Sequence, residues 1–191
     1  MNYNIANMFP TPILKFDFKD HKDNKRLLEL IETWKTKPHG LVSWAESSYL
    51  ESDQHILDHK DLQNLKSDFQ KAVDVYCDKV GLPNNIKISM SWFNKLGKGQ
   101  SVQLHRHEVS IVSAAYYPKV DQGSAGLNFV SPLQPYRMHE LFSKNTEYNV
   151  KSVEVPCEQG VLYLFPSWLE HFSNPNQTNE RITISFNTMY V

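Results

Sequence analysis

The sequence predicts a mainly β chain, an antiparallel sandwich or barrel, with helices from its first third packed on the outside. Three observations carry this expectation. After Pro83 the chain breaks into short runs at 86–94, 101–107, 109–118, 125–130, 148–155, 160–165 and 181–190. These runs are rich in β-branched and aromatic residues and are separated by Gly, Pro, Asn and Ser, the pattern of short strands joined by turns. No helical pattern intervenes, which argues for antiparallel pairing and against βαβ units. Before Pro83, two segments instead repeat their apolar residues at helical spacing.

Taken in order, Leu14, Phe16 and Phe18 share one face after Pro10 and Pro12, although Ile13 breaks the alternation; this predicts an edge strand. Residues 20–35 predict a helix with Leu27, Leu28, Leu30, Ile31 and Trp34 on one stripe, ended by Pro38, His39 and Gly40. Residues 60–80 predict the clearest helix. Its stripe is Leu62, Leu65, Phe69, Ala72, Val73, Tyr76 and Val80, with Asp58 as N-cap, Asp61 in the first turn and Gly81-Leu82-Pro83 as the stop. A helix with one apolar face covers a sheet. In the next run Ile86, Ile88, Met90, Trp92 and Asn94 alternate with Lys87, Ser89, Ser91 and Phe93. Trp92 and Trp168 are expected in the core, as is Tyr116. Residues 132–147 predict a long loop.

A length of 191 residues fits one domain spanning 1–191, helical over about 1–83 and β over about 84–191. Hydrophobic residues make up 40% and charged residues 21%, an ordinary globular composition. The net charge of −1 gives no electrostatic footprint for nucleic acid, so no nucleic-acid partner is expected. Cys77 and Cys157 lack CxxC or metal-type spacing and are expected as reduced thiols. The start, MNYNIANMFPTP, has no basic segment followed by an apolar one, and no run approaches a membrane span. The expected location is the cytoplasm, with no membrane partner.

The chemistry concentrates in two places. His105 and His107 are spaced so that a regular strand would aim both rings to one face, with Arg106 and Glu108 on the other. His171 follows far along the chain. Three imidazoles suit a transition metal; the alternative is a chance pair of strand histidines. In the last run Arg181, Thr183, Ser185 and Asn187 occupy one face, and Ile182, Ile184 and Phe186 the other. A half-exposed strand would put its polar face in water. A barrel holding a ligand inverts this, with the polar face lining the pocket. There the Arg181 guanidinium offers a planar fork for a carboxylate, and Thr183 a hydroxyl.

HRHEVSIVSAAYYP and LFPSWLEHFSNPNQTNERITISFN resemble a family of small oxygenases that use iron(II) and 2-oxoglutarate. The superfamily order is HxD/E, a distal His, then an Arg some ten residues on with Ser or Thr two later; here His105, His171, Arg181 and Thr183 match it. The likeness covers roughly residues 88–191 and is more specific in its C-terminal half. It implies a double-stranded β-helix of jelly-roll or cupin type, iron(II) as metal, and oxidative decarboxylation of 2-oxoglutarate to succinate. The expected outcome is hydroxylation of a small-molecule or peptide substrate. It also implies His105 and His171 as iron ligands and Arg181 with Thr183 as the anchor of the far carboxylate. Tyr117 is implied at the cosubstrate if no bulge intervenes, and Asn94 and Ser113 are pocket candidates along with Ser185 and Asn187.

One position departs from the superfamily. His107 stands where an Asp or Glu is usual. His107 is favoured as the third ligand by parity; Glu108 swinging in across a bulge, or two protein ligands alone, are the alternatives. Two rival functions share part of this pattern: a three-histidine cupin-type dioxygenase that does not use 2-oxoglutarate, and a non-catalytic jelly-roll binding module. His21, His39, His55 and His59 are expected at the surface. Tyr136, Arg137, Met138 and His139, in the long loop, are candidate substrate contacts. The sequence leaves the oligomeric state open.

Overall fold

Alternating faces decide the architecture, because the central strands of the large sheet are buried on both sides and must be covered on both. The structure is a computed structural model describing residues 1–2, 4–39, 49–52, 55–137 and 139–191. Gly40 and Met138 lie outside the described residues. The elements are β1 (Leu14–Asp17), α1 (Asn24–Thr33), β2 (Thr36–His39), β3 (Tyr49–Ser52), α2 (Gln63–Val80), β4 (Ile86–Leu96), β5 (Val112–Val120), β6 (Leu127–Val130), β7 (Ser152–Val155), β8 (Val161–Pro166), β9 (His171–Phe172) and β10 (Arg181–Tyr190). They form a seven-stranded sheet in the order β1-β8-β5-β10-β4-β3-β2 and a three-stranded sheet in the order β7-β6-β9. All pairings are antiparallel. The two sheets face each other as a double-stranded β-helix.

The large sheet is covered on both sides. Its outer face presents Ile86, Ile88, Phe93, Val112, Ala114, Tyr116, Leu162, Leu164, Ile182, Ile184 and Phe186 to Leu27, Ile31, Leu65, Phe69, Val73 and Tyr76 of α1 and α2. Phe69 is fully buried, its ring against Phe18, Tyr116 and Phe186; burying such a ring contributes about 2–3 kcal/mol. The inner face presents Ala115, Tyr117, Val161, Tyr163 and Phe165 to Leu127 and Phe129 of the small sheet. Neither cysteine forms a disulfide. Among the described residues no helix is long and apolar enough to cross a membrane.

Several expectations are corrected. The 86–94 alternation does not hold one face, because the β4–β10 register shifts between Asn187 and Thr188. The extra residue on β4 sends Ile86, Ile88 and Phe93 to the helices and Trp92 and Asn94 inward, as a bulge does. Helix α1 stops at Thr33, and the chain continues into the hairpin β2–β3, which no sequence pattern announced. Asp58 does not cap α2; it pairs with Lys66. The first turn of α2 is capped from outside, the Leu65 N–H donating to the Asp23 carboxylate at 3.1 Å. His21 is not a surface residue: its ring bonds Asp68 at 3.1 Å with its side chain 8% exposed. Trp168 is exposed, not core, and Trp92 is half-buried, whereas Tyr116 is fully buried.

Gly160 ties β1 to β8. Its carbonyl accepts from Phe18 N–H and its N–H donates to Tyr117 O, both at 2.7 Å. Its φ is +80°, and a Cβ there would lie 2.2 Å from Lys19 Cα. Gly160→Ala therefore combines left-handed strain with a backbone clash that no rotamer relieves, and is expected to destabilise the fold by at least about 2 kcal/mol. Chemical denaturation checks this; an unchanged midpoint would contradict it.

Candidate active site

The three histidines converge through backbone pairing, not through a regular strand. Residues 101–107, expected as a strand, form an irregular segment with one isolated bridge between His105 and His171. The His105 N–H donates to His171 O at 3.0 Å and the His171 N–H to His105 O at 2.9 Å. The His107 N–H donates to Ser167 O at 3.0 Å, so both segments are locked side by side. The donor atoms of His105, His107 and His171 all lie within 4.8 Å of one another, and the Nε2 atoms of His105 and His107 are 3.2 Å apart.

Hydrogen bonds orient the rings. His105 Nδ1 lies 2.8 Å from Gln103 O and His171 Nδ1 2.9 Å from Leu169 O. Main-chain oxygens accept only, so both Nδ1 atoms carry the proton and Nε2 is the nitrogen that holds the lone pair, the tautomer that ligates a metal. Burial between Phe165 and Phe129 pulls the His171 pKa down to about 3, with His105 acting in the same direction. Burial, then His105, pulls His107 down to about 4, opposed by a hydrogen bond to Asn187. Both rings are thus neutral at neutral pH, the form that ligates metal. Glu108 lies outside the group; its exposed carboxylate pairs with Arg106 at 3.2 Å.

A second polar cluster lies on the inner face of β10. Arg181 is 2% exposed and no ion pair engages it among the described residues. Its Nη1 donates to Ala125 O at 2.6 Å, and the guanidinium sits over the Tyr117 ring at 5.8 Å. Four buried polar atoms have no partner among the described residues: Arg181 Nε, Thr183 Oγ1, Tyr117 OH and Asn94 Oδ1. They are neighbours by register. Thr183 opposes Asn94 across β4, and on β5 Tyr117 and Pro118 together oppose Thr183 in a bulge. Burial raises the Tyr117 pKa against the opposing effect of Arg181, so its hydroxyl stays a neutral donor. A buried cation flanked by two unpaired hydroxyls is costly unless an anion completes it. The donor set fits a carboxylate.

Ser113 and Asn187 are hydrogen-bonded to each other at 2.9 Å on the inner face, and Ser185 is half-buried there, paired with Trp92 and Ala115. Of the loop candidates, Tyr136 and His139 are exposed and Arg137 lines a cleft of about 720 Å³ with Gln134, Phe142 and Lys151. Three contributors were missed in the sequence. Trp92 stacks on His107 with centroids 5.8 Å apart, and only the bulge reveals its face. Ser110 and Ser167 join Ser113 in a hydroxyl chain; Ser167 precedes His171 by one turn, but no spacing rule marks it.

The family whose model matches, described as "Putative 2OG-Fe(II) oxygenase", covers residues 90–187, just over half of the chain. No curated protein sequence matches. Among solved structures, the non-heme α-ketoglutarate-dependent epimerase SnoN from nogalamycin biosynthesis aligns with TM-score 0.69 at 12% identity, over 94% of this chain and 79% of that one. A Pseudomonas putida prolyl-4-hydroxylase aligns with TM-score 0.66 at 11% identity, over 95% and 94%. HygX from Streptomyces hygroscopicus, solved with nickel and 2-oxoglutarate bound, aligns with TM-score 0.66 at 12% identity, over 95% and 84%. Such low identities establish a shared fold. With the family match and the three-histidine cluster, the conclusion is that this chain belongs to the 2OG-Fe(II) oxygenase family.

Proposed function

We propose that the chain is an iron(II)- and 2-oxoglutarate-dependent dioxygenase that hydroxylates a small-molecule or peptide substrate. In this reading His105, His107 and His171 hold the metal, and Arg181, with Thr183 and Tyr117, holds the far carboxylate of 2-oxoglutarate. The observation that carries it is Arg181: a buried cation with no acidic partner among the described residues, next to unpaired donors, on the inner face that also carries Asn187 beside His107.

Iron(II) with 2-oxoglutarate supplies oxidative decarboxylation to succinate, the second oxygen atom passing to a substrate C–H bond. The protein's own part is binding and orientation. Three imidazole ligands bind through Nε2 lone pairs without adding negative charge. Arg181 meets a carboxylate with directed N–H donors, and the Thr183 and Tyr117 hydroxyls supply further ones. Phe129 and Phe165 pack around His171 and keep that side of the site dry.

The test is anaerobic. Addition of 2-oxoglutarate to the iron(II)-loaded protein is expected to produce a weak visible charge-transfer band that succinate does not produce. Iron binding without that band would favour the three-histidine enzyme that does not use 2-oxoglutarate. Absence of metal binding would favour a binding module.

A further inference from the structure

The Arg181 guanidinium is steered by a main-chain oxygen. Its Nη1 donates to Ala125 O at 2.6 Å, and the group lies over the Tyr117 ring at 5.8 Å. Its Nε has no partner among the described residues. The direction of the fork therefore depends on where the Ala125 carbonyl stands.

Asn176 holds the residue that carries this carbonyl. Its Oδ1 accepts the Ala125 N–H at 3.2 Å. Its Nδ2 donates to Leu96 O at 3.2 Å and to Thr178 O at 3.0 Å. Leu96 is the residue opposite Arg181 on β4. One carboxamide thus joins three segments around Arg181: the end of β4, the approach to β6 and the approach to β10. The main chain of Asn176 is tied as well, its N–H donating to Gln100 O at 2.8 Å and its carbonyl accepting the Gly99 N–H at 2.7 Å. Asn176 is 0% exposed, so water does not compete, and a satisfied buried network holds its members in one arrangement. On the other side of Ala125, the Gly126 N–H donates to Glu154 Oε1 at 3.2 Å, and a Cβ on Gly126 would lie 2.3 Å from Val155 O. The peptide unit whose oxygen Arg181 uses is therefore pinned at both ends.

We propose that Asn176 is a positioning residue for the cosubstrate anchor. By holding Ala125 and Leu96 it sets where the Arg181 fork stands in the pocket, and so which chain length of 2-oxo diacid the site prefers. This rests on the reading of Arg181 above. An arginine tethered through one N–H to a fixed acceptor presents its remaining donors in one direction. Released from that tether, it follows a carboxylate placed elsewhere.

The manganese-loaded protein is titrated by calorimetry with 2-oxoglutarate and with 2-oxoadipate, one carbon longer. The parent is expected to prefer 2-oxoglutarate; a parent that binds both alike overturns the proposal. Asn176→Ala is expected to weaken 2-oxoglutarate by about three- to tenfold, the worth of one or two hydrogen bonds to the anchor's frame. It is expected to weaken 2-oxoadipate less, so that the preference narrows, and to leave manganese affinity at the parent value. A purely structural loss lowers stability and both affinities in proportion and leaves the preference alone; that result, or unchanged affinities in folded Asn176→Ala, overturns the proposal. Thr178→Val removes the hydroxyl that donates to Asn176 Oδ1 at 3.2 Å and loosens the same carboxamide. It is expected to narrow the preference by less, and it carries the test should Asn176→Ala fail to fold; a parent-like preference there overturns the proposal. The underlying reading fails separately: parent-like 2-oxoglutarate affinity in folded Arg181→Ala removes the anchor itself, and the proposal with it.

Discussion

His171→Ala is expected to lose at least about a hundredfold in manganese(II) or cobalt(II) affinity, and His105→Ala to match it. Changes to the partners of a metal ligand alone cost ten- to a hundredfold, so loss of the donor itself sets that figure as a floor. His171 is 4% exposed, packed against Phe165 and bonded through Nδ1 to Leu169 O. The ring therefore has one orientation, and no neighbouring side chain can take over its Nε2. His107→Ala is expected to follow in the same direction. Glu108→Ala is expected to leave affinity unchanged, because its carboxylate lies outside the cluster and pairs with Arg106. Titrations on variants verified as folded by circular dichroism decide this. Parent-like affinity in His171→Ala would remove the centre, and a loss in Glu108→Ala larger than in His107→Ala would replace the third ligand.

Arg181→Ala is expected to keep the metal and lose 2-oxoglutarate. Hydrogen bonds to charged groups contribute on the order of 1.5–3 kcal/mol each. Losing a bidentate pair in a site that is 2% exposed should cost roughly 3–4 kcal/mol, a factor of a few hundred in affinity. Arg181→Lys should recover only part, since an ammonium keeps the charge without the planar fork. Calorimetry with 2-oxoglutarate on the manganese-loaded variants reads this directly. Unchanged affinity in folded Arg181→Ala would sink the cosubstrate assignment while leaving the metal cluster intact.

The inversion of β10 was legible because its alternation is unbroken from Arg181 to Asn187, the stretch that carries the site. The helices were legible because the Leu65, Phe69, Val73 and Tyr76 stripe has no competing pattern. Trp92 was not, because one bulged residue exchanges the two faces of β4 and leaves no mark in composition. The capping of α2 by Asp23 was not, because the two residues are far apart in the chain and meet only after the helices dock. The convergence of His105 and His107 followed from spacing, yet the regular strand assumed for it is absent.

The two-sided sheet has a consequence for how such a protein can diversify. On β5, β8 and β10 neighbouring residues belong to different compartments: Ile182, Ile184 and Phe186 to the packing against the helices, Arg181, Thr183 and Asn187 to the interior. Point substitutions at the interior positions exchange polar groups without emptying the apolar volume that holds the helices to the sheet. Conservative changes on the helical side repack that volume without moving an interior donor by more than the sheet flexes. Chemistry and foldedness are thus inherited on separate residues of the same strand, so a new substrate preference can be explored with little loss of stability.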